Sequence, residues 1–225
     1  NGRGFWQLYE QSCLKLGLPC STHIRKAIDN EVSLELDLSL IREEQWSPII
    51  EALTKCESLR ELGLVNRCLR RRGAVEGYGP DAPDDQWKQI MCQKIIKGIS
   101  VHLWNSITIT HLYLKNLSDL VPHVNFLRSF FFFFKFVRSL SRNDSLRNLW
   151  IEDCKLSEAD ISAICKSLRV SMLTHLALVK CGINQRSIGS IVNLIKAQNS
   201  NRQEGLESTD VLTLERTMPG LRRVN

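Results

Sequence analysis

The chain is 225 residues and 25.8 kDa, with 43% hydrophobic and 24% charged residues, a balance that excludes disordered, collagen-like and low-complexity classes. Its formal charge is +6 and its pI is near 9.0, but apart from Arg67 and Arg70-Arg71-Arg72 the positive residues are scattered along the sequence. The charge therefore reads as an ordinary solvated surface, with a nucleic-acid partner left open but weakly supported.

No apolar run reaches the roughly 18 residues that a bilayer span requires, so no membrane contact is expected. With no initiating Met and no signal-type segment, the chain reads as a fragment of something longer. Its eight cysteines form no C-x-x-C pair and mostly lie inside apolar segments, which points to buried free thiols in a reducing compartment. The sequons at Asn116-Leu117-Ser118 and Asn143-Asp144-Ser145 oppose that reading only weakly.

Residues 1–30 read as a helical N-terminal cap. Tyr9, Cys13, Leu14 and Leu16 fall on one helix there. Cys13 reads as a packed thiol, although His23 and Asp29 supply the other residue types of a thiol nucleophile.

Residues 31–195 carry a repeat. Its first unit is Leu34-Glu-Leu36-Asp-Leu38-Ser39 followed by Trp46, Ile49, Ile50, Ala52 and Leu53, with the strand register open by two residues. The second begins Leu59-Arg-Glu-Leu62-Gly-Leu64-Val-Asn-Arg67, and the third Ile109-Thr-His-Leu112-Tyr-Leu114-Lys-Asn-Leu117. The clearest two are Leu146-Arg-Asn-Leu149-Trp-Ile151-Glu-Asp-Cys154-Lys-Leu156 and Leu173-Thr-His-Leu176-Ala-Leu178-Val-Lys-Cys181-Gly-Ile183, whose first leucines are 27 residues apart.

Within each unit L-x-L has period 2 and predicts a strand. The later apolar positions, Ile161, Ile164 and Leu168 in one copy and Ile188, Ile191, Leu194 and Ile195 in the next, recur at 3 and 4 and predict a helix. No single unit can bury its own apolar face, so the units are expected to stack into an α/β solenoid with a curved parallel sheet inside and helices outside. The ninth-position Cys154 and Cys181 are expected to turn inward and satisfy backbone groups where the chain leaves the strand.

Two irregular insertions break the period, near 70–86 and 122–140. The first holds the turn-rich Gly77-Tyr-Gly79-Pro80, and a helix through Trp87, Ile90, Met91, Ile95 and Ile96 restores the frame. The second holds seven of the eight phenylalanines, between Phe126 and Phe136. An exposed run of that kind would aggregate, so part of it reads as foreign to the native fold, as translated non-coding sequence. Residues 196–225 read as an irregular tail or partial repeat, hinted at only by Met218-Pro-Gly-Leu221.

The L-x-x-L-x-L-x-x-C spacing and the Ala52-Leu53-Thr-Lys-Cys-Glu-Ser-Leu59 joint resemble the leucine-rich repeat of the ribonuclease-inhibitor-like subtype. The entry through Tyr9-Glu-Gln-Ser-Cys13-Leu-Lys-Leu-Gly17 and His23-Ile-Arg-Lys-Ala-Ile28 is similar to that of the C-terminal repeats of tonsoku-like DNA repair proteins. That resemblance implies a nuclear scaffold that binds a companion repair subunit and supports homologous recombination at damaged replication forks. The tetratricopeptide and ankyrin repeats that contact chromatin in that family are not among these residues. A cytoplasmic immune or inhibitor-type ligand sensor, or a nucleic-acid module using Arg67, Arg70, Arg71 and Arg72, are the alternatives.

No catalytic residues, cofactor or metal site is assigned. Gly77-Tyr-Gly79 runs straight into Pro80 with no strand before it, so it is no dinucleotide loop, and neither a P-loop nor a G-x-S-x-G elbow occurs. The histidines and cysteines lack the close spacing of zinc ligands.

The second, third, fifth and seventh residues of each strand frame are expected to project from the concave sheet. These are Arg60, Glu61, Gly63 and Val65, then Thr110, His111, Tyr113 and Lys115. Arg147, Asn148, Trp150 and Glu152 follow, then Thr174, His175, Ala177 and Val179. The partner-binding set drawn from them is Trp150, Tyr113, His111, His175, Arg60, Arg147, Glu152 and Lys115, with Trp150 foremost because large amphipathic rings dominate protein interfaces.

Overall fold

The computed structural model describes residues 4–67, 85–117, 126–204 and 213–215. Helix α1 (Phe5–Leu16) buries Phe5, Leu8, Tyr9, Ser12 and Cys13, which share one face at spacings of 3 and 4. It stops at Gly17, whose φ of 65° lets its N–H reach the Cys13 and Leu14 carbonyls. Leu14 and Leu16, expected to pack around Cys13, are instead exposed (83% and 51%): Leu14 points away from the buried face, and Leu16 extends that face past Cys13 at the end of the helix. Helix α2 (Thr22–Lys26) leads into the two-residue strand β1 (Ile28–Asp29), which turns back antiparallel onto β2 (Ser33–Asp37) through Asn30 and Glu31, both at positive φ.

From there strand and helix alternate: α3 (Trp46–Lys55), β3 (Glu61–Val65), α4 (Asp85–Asn105), β4 (His111–Lys115), α5 (Phe126–Arg142) and β5 (Asn148–Glu152). The series ends with α6 (Glu158–Ser167), β6 (His175–Val179), α7 (Gln185–Glu204) and β7 (Thr213–Glu215). The seven strands form one sheet in chain order, parallel from β2 onward. Parallel neighbours need a crossover, and crossovers of one hand place their helices on one face of the sheet. Accordingly α1 packs on α3, and each helix from α3 to α7 packs on the next.

The register puts Leu34, Leu62, Leu112, Leu149, Leu176 and Leu214 in one row and Leu36, Leu64, Leu114, Ile151 and Leu178 in another. This fixes the first unit, whose Leu34 lies beside Leu62. The described members of both rows are buried and join one core with Ile49, Leu53, Ile99, Leu103, Phe136, Leu140, Ile161 and Leu168 from the helices. Each such side chain contributes about 1.5–3 kcal/mol on burial.

Between successive strands one carbonyl takes two donors. Arg60 O accepts from Thr110 N and His111 N, Thr110 O from Arg147 N and Asn148 N, and Arg147 O from Thr174 N and His175 N, all at 2.8–3.0 Å. At the strand ends Asn116, Asp153 and Lys180 adopt left-handed φ of 53–54°. Asn116 N then donates to Glu152 O and Asp153 N to Val179 O, tying each exit to the next strand. Below these exits the Cys154 thiol donates to Glu152 O (3.3 Å) and Leu114 O (3.9 Å), and the Cys181 thiol to Ile151 O (3.2 Å) and Val179 O (3.3 Å). Both thiols thus satisfy backbone carbonyls in the core.

One expectation changes. The segment 122–140 is not irregular from 126 onward: it lies in α5, where Phe133, Phe136, Val137 and Leu140 face the core at spacings of 3, 1 and 3, and Phe134 is exposed. A phenylalanine run has no polar positions to reveal a helical period, so its buried face was hidden in the sequence. In the segment read as an irregular tail or partial repeat, α7 continues past 195 to Glu204 and β7 adds a parallel strand with Leu214 beside Leu176. Asn116 and Asn143, the acceptors of the two sequons, are 3% exposed and hydrogen-bonded, which closes both to glycosylation. The expected insertion near 70–86, including Arg70, Arg71 and Arg72, and the Met218-Pro-Gly-Leu221 hint lie outside the described residues, apart from the first turn of α4.

Candidate functional site

With the helices on one face of the sheet, the residues between the two leucine rows lie on the other. In strand order these are Glu35, Gly63, Tyr113, Trp150, Ala177 and Glu215. Tyr113 and Trp150 are register partners, their ring centroids 5.9 Å apart and tilted by 58°, the arrangement that aromatic quadrupoles favour. Lys115 and Glu152, partners two residues further along, form a 2.7 Å ion pair with side chains only 20% and 14% exposed.

The two pairs are fused. Tyr113 Oη donates to Glu152 Oε2 at 3.0 Å and Trp150 Nε1 donates to the same oxygen at 3.3 Å. Lys115 Nζ donates to Tyr113 Oη at 3.2 Å. Burial by itself would push Glu152 up, but the Lys115, Tyr113 and Trp150 donors outweigh it and hold the carboxyl below the ordinary carboxylate range. The bond to Glu152 raises Lys115 against its own desolvation, and burial raises the Tyr113 phenol. Both charges of the pair are therefore kept at neutral pH, and the two rings are held in one orientation.

Beside the rings runs the column Glu61, His111, Asn148, His175. Thr110 Oγ1 donates to Arg60 O, and Thr174 Oγ1 to Arg147 O, so each hydroxyl accepts from the neighbouring imidazole Nδ1–H, at 2.9 Å for His111 and 3.1 Å for His175. His111 Nε2 then accepts from Asn148 Nδ2 at 2.7 Å. The two histidines sit two strands apart, about 9.5 Å by strand spacing, too far to share one metal ion. A depression of about 310 Å³ opens along this face, walled by His111, Tyr113, Asn148, Trp150 and His175, with Ala177 in its floor.

The expected outward set is brought together only in part. Tyr113, Lys115, Trp150 and Glu152 form the cluster, and His111, Asn148 and His175 flank it. Arg60 is exposed at the strand entry. Arg147 is tied to the α5–β5 turn by Nη1 bonds to Asp144 O (2.7 Å) and Leu146 O (3.3 Å). Val65, Ala177 and Val179, placed on the open face by the frame, are buried (4%, 5% and 8%). Near β2 the face carries a second charged group, in which Arg67 pairs with Glu35 and with Asp37.

Two buried groups escaped the sequence reading. Asn143 joins the α4 and α5 termini, and His102 Nδ1 donates to Leu53 O at 2.7 Å, which places the imidazole proton on Nδ1. His102 Nε2 and Trp46 Nε1 are buried without a hydrogen-bond partner among the described residues. His102 lines a concavity of about 500 Å³ formed by the turns that lead into β3 and β4. In its polar lining Ser58, Ser106 and Thr108 bond to groups of those turns.

Among the described residues no cluster of His, Cys, Asp and Glu could hold a metal ion, and no helix is long and apolar enough to cross a membrane. Described cysteines are free, with Cys20 exposed and Cys13, Cys56, Cys154, Cys165 and Cys181 buried. Burial pushes the Cys165 and Cys181 thiols up to about 11, which makes them poor nucleophiles.

Fold and face together define an α/β protein with a mostly parallel sheet, helices over one side and a fused ring and charge cluster on the other. No protein-family model matches the chain, and no curated protein sequence is significantly similar to it.

Proposed function

We propose that the chain is a leucine-rich-repeat solenoid of the ribonuclease-inhibitor-like subtype that acts without catalysis, as a scaffold holding a protein partner on its open sheet face. The observation that carries this reading is the Tyr113–Trp150 pair, braced by Lys115 and Glu152 on neighbouring strands beside an apolar depression. Rings held rigidly lose little conformational freedom on binding, which is why Trp and Tyr so often anchor interfaces. His111, His175, Arg60 and Arg147 then supply a polar rim. The repeat register supports the solenoid reading, since the 27-residue spacing of Leu149 and Leu176 becomes direct lateral pairing.

The N-terminal resemblance extends the proposal to a nuclear role in homologous recombination, with the companion repair subunit of tonsoku-like proteins as the partner. Capture of that subunit by the purified chain tests it. Trp150→Ala, checked for native circular dichroism, is expected to weaken capture about 30-fold, the effect of losing an anchor worth about 2 kcal/mol. Equal capture by the variant would remove the reading.

A further inference from the structure

The surplus of positive charge is unevenly distributed over the folded chain. The helices α4 to α7 hold four carboxylates: Asp85 opens α4, Glu204 closes α7, α5 has none, and Glu158 and Asp160 lie in the first turn of α6. Asp160 is engaged there, accepting from Ser157 N and Oγ. Four cations elsewhere are matched: Arg67 pairs with Glu35 and Asp37, Lys115 with Glu152, and Lys15 and Lys55 with Glu51. Among the described residues no carboxylate pairs with Lys94, Lys97, Arg138 or Arg142.

These four residues converge with Lys135 on one surface. Lys94, Lys97 and Trp104 are spaced by 3 and 7 along α4, and Lys135, Arg138 and Arg142 by 3 and 4 along α5, so each set occupies one helix face. All six are exposed. The two faces meet at Trp104, where the Arg142 guanidinium carbon lies 4.3 Å and that of Arg138 5.6 Å from the ring centroid. Phe134, 54% exposed, adds a second accessible ring.

We propose that this face of α4 and α5 binds the phosphate backbone of a nucleic-acid strand. Three features select that ligand. The face is basic without interspersed acid, which gathers the field that scattered charge cannot. Two guanidiniums are ordered on an indole, so their planar forks lose less freedom on bidentate contact with phosphate oxygens. The cations extend about 10 Å along α5, and exposed rings beside them provide the π-faces on which unpaired bases stack. An acidic peptide would meet the charge but leave the rings unused. This surface lies on the helical side, opposite the Tyr113–Trp150 cluster, and does not depend on the reading of the sheet face.

The test is fluorescence anisotropy of a labelled mixed-sequence 20-nucleotide single strand titrated with the full chain across a salt series. Wild-type affinity is expected to fall steeply with ionic strength. Arg138→Ala with Arg142→Ala should weaken binding at least tenfold and make the log–log salt slope shallower by about 1.4, as loss of two single-strand phosphate contacts requires. Should that variant lose its native circular dichroism, Lys94→Ala with Lys97→Ala replaces it, with a smaller loss in the same direction. Trp104→Ala should weaken binding of the oligonucleotide more than that of a polyphosphate lacking bases, and Trp150→Ala should bind the oligonucleotide as wild type does. Unchanged affinity in the well-folded α4 or α5 variants would overturn the proposal. Equal competition by polyglutamate would overturn it in favour of an acidic protein, and equal competition by phosphatidylserine vesicles in favour of a membrane surface.

Discussion

Asn143→Ala gives the sharpest stability test. The side chain is 3% exposed and makes five hydrogen bonds. Nδ2 donates to Leu103 O (2.7 Å) and Ser106 O (2.9 Å), while Oδ1 accepts from Leu146 N (2.7 Å), Ser145 N (3.1 Å) and Ser145 Oγ (3.1 Å). It therefore joins the end of α4, the end of α5 and the entry to β5. Alanine removes both sides at once and strands the Leu103 carbonyl and the Leu146 amide in the interior. Each unsatisfied buried group costs about 1–3 kcal/mol, so two such groups predict a loss of about 2–6 kcal/mol. Urea unfolding with linear extrapolation measures it, with the m-value unchanged if only the folded state is affected. A loss under about 1 kcal/mol, the net value of a single ordinary hydrogen bond, would refute the reasoning. Asn143→Asp should be no better, since it keeps the acceptors but buries a charge and forfeits both donors.

Leu149→Ala, at a site 1% exposed, should cost about 2–5 kcal/mol in the same assay as a buried leucine truncation; a change below about 1 kcal/mol would contradict its place in the core row. Acid should weaken the fold through His102. Burial lowers its folded pKa more than the bond to Leu53 O raises it, while the unfolded imidazole titrates near about 6.5, so stability is complete above that pH and declines below it as the unfolded state takes up the proton first. Comparing urea midpoints at pH 7.5 and 5.5 checks this, and an equal decline in His102→Gln would count against it. Glu152 is held below its usual range, so its contribution is present at neutral pH and disappears as pH falls through its folded value; Glu152→Gln should lack that part of the acid limb. Gly182→Ala should destabilise by about 1 kcal/mol or more, because Gly182 sits at φ 75° and an added Cβ would lie 3.2 Å from Leu156 O; an unchanged thermal midpoint would show that the turn relaxes.

What the sequence disclosed was whatever depends on period. The alternation around Leu149 and Leu176 predicted strands, and the equal frames of the two segments anticipated the register in which they pair. The same frames set Tyr113 beside Trp150 and Lys115 beside Glu152, because residues at equal positions of adjacent parallel strands become neighbours. What stayed hidden has no period. The phenylalanines of α5 gave no alternation of polar and apolar positions, so the face that carries Phe133 and Phe136 into the core could not be picked out. The structural role of Asn143 could not be seen because its partners, Leu103 and Ser106, lie 40 and 37 residues upstream. Position alone also could not show that Val65, Ala177 and Val179 are covered, since burial on the open face depends on the size of neighbouring side chains. The Arg138–Trp104–Arg142 stack spans two helices and was invisible for the same reason.

The sheet-face account is tested most directly at one ring. The chain has five tryptophans, and 5-fluorotryptophan labelling gives each a fluorine resonance, with that of Trp150 identified by its loss in Trp150→Phe. On addition of the companion repair subunit the account predicts that the Trp150 resonance shifts or broadens while that of Trp46, buried in the core, stays in place. Complex formation that leaves the Trp150 resonance unmoved would contradict it.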